Sequence, residues 1–235
     1  MSNILVSANY VVKGFRFGAT QQSDYDIMLE MWKCSFQKNL QHLDDIIIFT
    51  GEGGTYNIYR DIYWKIRDLY IQGHNVLWAD LDMLCLGPTE IFGQYGNFMM
   101  FFNNDTHLDY SGTVPQRIWG SLLPWFMANL RYYPSGSIED WLWKECDSLV
   151  KNWVDTWAYE CIVHNYMFHS QFGSGFQKEN LLRYHNPSMN FQWEGEGSIP
   201  EDSKIVHFHC TRSSARSVGK MQQMFNRYIM KGECL

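Results

Sequence analysis

Two carboxylates stand two residues apart in Val76-Leu-Trp-Ala-Asp80-Leu-Asp82-Met-Leu-Cys-Leu-Gly-Pro88. The run before them is apolar and reads as a buried strand, so the pair falls where the chain leaves a sheet. Alternation along extended backbone sends Asp80 and Asp82 to one side, where both can address one hard cation and its waters. Two anions this close repel, and a divalent ion removes that cost. A bare D-x-D arises often by chance, one residue capping a turn and the other solvated. The apolar strand before it, and the apolar run ending in Gly87-Pro88 after it, make this one specific.

Groups with matching chemistry lie downstream. In Ile205-Val-His207-Phe-His209 the two histidines share one face of a late strand, and either can be a metal ligand. Imidazole beside carboxylate suits Mn²⁺ somewhat better than Mg²⁺. Glu160 and His164 are one helical turn apart on one face. Each also fits a purely structural part: a hydrogen-bonded core histidine, or a carboxylate in a cap or ion pair.

The elements that must position these groups can be read from hydrophobic spacing. Ile4–Ala8 reads as a buried strand and Asp45–Thr50 as a second, ending in the glycine-rich Gly51–Gly54. Between them a helix opens at Ser23, with Asp26 in capping-box spacing, and puts Met28, Trp32, Phe36 and Leu40 on one face. A second helix carries Ile58, Ile62, Ile66 and Leu69 and stops at Gly73, before the strand Asn75–Ala79. This β-α-β-α-β order, with strands apolar throughout, predicts an α/β fold: a mainly parallel, Rossmann-like sheet flanked by helices, its strand ends lining one edge. Phe98–Phe102 continues the sheet. Residues 103–135 show no clear periodicity and read as an irregular lobe. Helical spacing follows at Ile138, Leu142, Cys146 and Leu149, then over 155–169; residues 171–203 are loop-rich, and a strand over Lys204–His209 precedes a short terminal helix. A single domain, 1–235, is expected, with a ligand-binding half (1–102) and a second half (103–235) that carries the late strand.

The segment from Gly73 to Phe92 resembles the strand-plus-D-x-D segment of GT-A-fold, nucleotide-sugar-dependent glycosyltransferases, glycogenin-like members and small bacterial or viral ones included. The resemblance implies that Asp82 binds Mn²⁺ or Mg²⁺ directly and that Asp80 meets the metal or the donor ribose. Ile205–Arg212 is similar to the late histidine strand of the same class. That likeness makes His207 the first choice of ligand and His209 the next, with Arg212, or else Arg216, serving the diphosphate. Arg131-Tyr-Tyr-Pro134-Ser135-Gly136 resembles a segment beside the donor sugar, with Pro134 where the class has asparagine. The helix carrying Asp155 and Glu160 resembles the one that faces the reacting carbon, which implies that Glu160, with Asp155 as its rival, accepts the proton of the acceptor hydroxyl. By the same likeness Ala8, Asn9, Tyr10 and Thr50 surround the nucleoside, Tyr10 stacking on uracil, and Lys65 approaches from the preceding helix. The implied activity is transfer of a hexose from a nucleotide diphosphate sugar, UDP-linked, to a hydroxyl of a glycan or glycoconjugate acceptor.

Composition narrows the alternatives. Nineteen basic against 25 acidic residues, a formal charge of −6, speak against nucleic acid as a partner. Aromatic residues make up 17% of the chain, enough for a ring-rich core or for sugar stacking, so a non-catalytic carbohydrate-binding protein is the rival from another class. A metal-dependent nucleotidyl- or phosphotransferase is the rival enzyme. The six cysteines form no C-x-x-C pair and read as buried free thiols of a reducing compartment. With no basic leader, and no run of about 18 apolar residues, a soluble cytoplasmic protein without a transmembrane segment is expected.

Overall fold

The computed structural model describes residues 1–12, 22–101, 129–152, 158–170, 188–193, 198–208 and 214–231, leaving aside the side chains at 12, 55–56, 158–162, 169 and 214–216. A five-stranded sheet forms its centre, in the order β2-β1-β3-β6-β5. Its strands are β1 (Asn3–Val12), β2 (Asp45–Gly53), β3 (Asn75–Ala79), β5 (Met99–Phe101) and β6 (Leu130–Tyr133). β1 pairs in parallel with both β2 and β3, while β6 runs antiparallel between β3 and β5. The sheet is therefore mostly parallel, as expected.

Helix α1 (Gln22–Asn39) covers one face and α2 (Thr55–Ile71) the other. The α1 stripe of Met28, Trp32 and Phe36, continued by Leu40 just beyond the helix, is buried, as is the α2 stripe of Ile58, Ile62 and Ile66. Spacing read these correctly because each helix buries a single face. Helix α3 (Asp140–Lys151) and α4 (Ala158–Ser170) join α2 on its side through Leu142, Cys146, Val163, Met167 and Phe168.

A smaller sheet, ordered β4-β8-β7, joins β4 (Met83–Cys85) to β8 (Ile205–His207) in antiparallel fashion and β8 to β7 (Phe191–Gln192) in parallel. Helix α5 (Ser214–Met224) passes into a π-helical stretch, Phe225–Met230, and packs on α1. Among the described residues no helix is long and apolar enough to cross a membrane.

Three expectations need correction. The stretch expected to be irregular over 103–135 contributes β6, which lies inside the main sheet with all four residues buried. Asp26 does not close a capping box; its Oδ1 accepts from Asn9 Nδ2 at 2.8 Å, which ties α1 to the end of β1. Among the described cysteines Cys85 and Cys146 are buried thiols, but Cys34 is exposed.

Candidate functional site

The acidic pair sits on the short link between the two sheets. Asp80 follows the last residue of β3, and Leu81–Asp82 form the turn into β4. A turn thus separates the two carboxylates, so one strand's alternation does not place both, and each is held from a different sheet. Asp80 Oδ1 accepts from the Trp78 indole Nε1 at 2.8 Å, and its Oδ2 accepts from Asn129 Nδ2 at 2.5 Å. The Asp80 N–H also donates to the Asn129 carbonyl at 3.1 Å, at the entry to β6.

Asp82 belongs to the smaller sheet. Its Oδ2 lies 3.3 Å from Nε2 of His207, a buried residue. Register makes the meeting inevitable: Met83 pairs with His207, and the Phe208 N–H donates to the Asp82 carbonyl at 2.8 Å. Among the described residues no three His, Cys, Asp or Glu side chains converge as a metal cluster. His209 and Arg212 lie outside the described residues, as does Asp155. Glu160 lies in the first turn of α4, and Arg216 in the first turn of α5, both with side chains outside the description.

The ends of β1 and β2 form a second cluster. Ala8 pairs with Phe49 and Asn9 with Thr50; carrying the β1–β3 register two residues past Val6↔Trp78 sets Ala8 level with Asp80. The Tyr10 hydroxyl donates to Asp61 Oδ2, and Lys65 Nζ donates to Tyr10 Oη at 2.7 Å and to the Thr50 carbonyl at 3.3 Å. Lys65 also pairs with Asp61 at 2.9 Å. Tyr10, Thr50 and Lys65 are therefore brought together. The Tyr10 ring is 8% exposed and packs over Gly51, whereas stacking on a base needs an open ring face.

Charge in this cluster is mutually supporting. Burial, then the bond to Asp61, raises the Tyr10 pKa. Burial alone would raise Asp61, but hydrogen bonds from Tyr10 and Lys65 outweigh it and hold the carboxyl below its usual range. Burial alone would lower Lys65, but the same partners outweigh it and raise its pKa.

Ser135 and Gly136 are not brought to the acidic pair. Because β6 runs antiparallel to β3, with Val76 opposite Tyr133, its exit lies at the start of β3, where the Ser135 N–H donates to Asn75 Oδ1 at 2.8 Å. Asp80 is at the far end of that strand. A place beside the donor sugar does not follow from this topology.

Sequence reasoning passed over Trp78, Asn129, Arg131 and Asp61. Trp78 left a signal, since it lies two residues before Asp80 and alternation turns both to one side. Asp61 lies one helical turn before Lys65, on the same face of α2. Asn129 and Arg131 left none, because their roles depend on where β6 inserts.

Solved structures match this chain, and one of them aligns with nearly its whole length. It is the crystal structure of a glycosyltransferase involved in the glycosylation of the major capsid of PBCV-1; the match covers 95% of this chain and 100% of that one, with a TM-score of 0.50 at 15% identity. This chain shares the fold of that structure, a mostly parallel sheet flanked by helices. At that identity the likeness speaks to architecture alone. No protein-family model matches the sequence, and no curated protein does.

Proposed function

We propose that this protein is a metal-dependent glycosyltransferase of the GT-A type, moving a hexose from a UDP-linked sugar to a hydroxyl of a glycan or glycoconjugate. The observation that carries the proposal is the 3.3 Å approach of Asp82 to His207 on the link between the sheets of a glycosyltransferase fold. A carboxylate oxygen and an imidazole nitrogen are donors that suit Mn²⁺ and, less well, Mg²⁺, and such ions routinely fill their remaining positions with waters and phosphate oxygens. Asp82 and His207 would hold the ion, with His209 as the alternative nitrogen ligand. When bound, a cation of this kind offsets the charge that develops on a departing diphosphate.

The chain's own residues have separable tasks. Asp80, gripped at both oxygens by Trp78 and Asn129, would meet the metal or the donor ribose. Ala8, Asn9 and Thr50 line the edge where the nucleoside lies, and Lys65 brings a cation there. Arg212 serves the diphosphate. Glu160 takes the acceptor proton, with Asp155 in reserve, while the acceptor oxygen bonds to C1 of the sugar. The C1–O bond to the diphosphate breaks, and its electron pair leaves with the nucleotide. A carboxylate so placed favours inversion at C1.

The test is a screen of UDP- and GDP-sugars for nucleotide release with Mn²⁺, comparing wild type with Asp82→Ala. UDP plus free or transferred sugar, lost in the variant, supports the proposal. Sugar phosphate plus UMP would identify a nucleotidyl- or phosphotransferase instead. Sugar binding without turnover of any donor would identify a carbohydrate-binding protein.

A further inference from the structure

Behind Asp80 lies a buried chain of contacts with no part in the proposed reaction. Arg131, 3% exposed, is the direct cross-strand partner of Trp78, and its guanidinium carbon stands 5.3 Å from the centre of the indole. Arg131 Nη1 lies 2.9 Å from Nδ1 of His164 on α4, itself 4% exposed. A guanidinium has only donors, so His164 Nδ1 must accept, and the imidazole proton sits on Nε2. The His164 ring is packed beside Phe98 and Tyr133, which limits its rotation. The contacts therefore run in order: His164 accepts from Arg131, Arg131 lies over Trp78, and the Trp78 N–H donates to Asp80.

We infer that Arg131 is a positioning residue for the acidic turn: clamped by His164, it fixes the plane of the Trp78 indole and so the direction of the Asp80 carboxylate. The planar guanidinium suits the task because it can lie on a ring and donate sideways at once, which an ammonium cannot do. The same contacts tie the turn to α4. Glu160 precedes His164 by one turn on the same helix face, so the link that aims Asp80 also sets the register of the proposed base. Only the expected effect on metal affinity rests on the proposed function; the aiming of Asp80 does not.

The test uses the full chain labelled with ¹⁵N at the tryptophan indoles. The Trp78 resonance is identified as the one missing from Trp78→Phe. In His164→Gln, which keeps an acceptor facing Arg131, that resonance should stay in place and affinity for Mn²⁺ alone, read by electron paramagnetic resonance, should match wild type. In His164→Leu and Arg131→Met the resonance should move, and Mn²⁺ affinity should fall about tenfold, as is usual when support around a metal ligand is removed. A folded Arg131→Met with an unmoved Trp78 resonance overturns the inference. If Arg131→Met does not fold, the His164 pair decides, and equal behaviour of His164→Gln and His164→Leu overturns it. The indole comparison needs neither metal nor nucleotide. Wild type that binds no Mn²⁺ would defeat the proposed function and leave this comparison intact.

Discussion

Asp82 and His207 face each other across the β4–β8 ladder at 3.3 Å, although one belongs to the first half of the chain and the other to its last strand. The acidic turn is thus pinned twice, through Asp80 to the large sheet and through Asp82 to the small one.

Replacing Asp82 with alanine should abolish nucleotide release from the donor almost completely while leaving the circular dichroism spectrum and melting behaviour close to wild type. Asp82 sits in a partly exposed turn, so little packing is lost with its side chain. A variant retaining full turnover would remove Asp82 from the reaction.

Acid should weaken the cluster at the ends of β1 and β2. The Asp61 pKa is lower in the folded chain than its ordinary 3.8, so its contribution is present above that value and lost as pH falls through the lower, folded one. Urea unfolding of wild type and Asp61→Asn at a series of acid pH values should show the wild-type advantage shrinking below about pH 4. A constant advantage across that range would show that ionisation of Asp61 does not matter. Tyr10 and Lys65, both raised, act in the opposite sense, and their contribution should fade in strong alkali.

Gly51→Ala should destabilise the fold by roughly 1 kcal/mol, the low end of the range for an added methyl that must push a packed ring aside. A Cβ there would stand 2.8 Å from Tyr10 Cε1, on a ring whose hydroxyl is already committed to Asp61 and Lys65. Chemical denaturation of the variant in a Tyr10→Ala background checks the cause, because without the ring the alanine should cost little. An undiminished cost there would point to the backbone instead.

Thiol labelling of the native protein should separate the described cysteines. Cys34 is exposed and should react readily at neutral pH. Cys85 should resist until the chain unfolds, its thiol pushed up to about 12 by burial despite hydrogen bonds to Thr89 and the Gly87 carbonyl. Cys146 is buried as well and should follow Cys85. Mass mapping after a short pulse of alkylating reagent gives the order, and early labelling of Cys85 would contradict its burial.

How much of this was legible in the sequence depended on whether the signal was local. The strand Asn75–Ala79 is read to the residue, because an apolar run between a cap glycine and an aspartate admits one interpretation. Asp82 and His207 were both singled out, yet their meeting depends on the β4–β8 register, which no spacing announces. The strand Leu130–Tyr133 was missed because Arg131 looks like a solvated residue in a stretch of Asn, Gly, Pro and Trp. It is core only because Trp78 and His164 receive it. Ser135 and Gly136 were misjudged for the same reason: their place follows from a strand direction that a motif does not encode.

The β4–β8 pairing also bears on synthesis. A nascent chain can build the β1-α1-β2-α2-β3 unit while still tethered to the ribosome, but the partner of Asp82 arrives only with the final strand. Polypeptides released early, before His207 emerges, should keep much of the scaffold and yet be inert toward manganese.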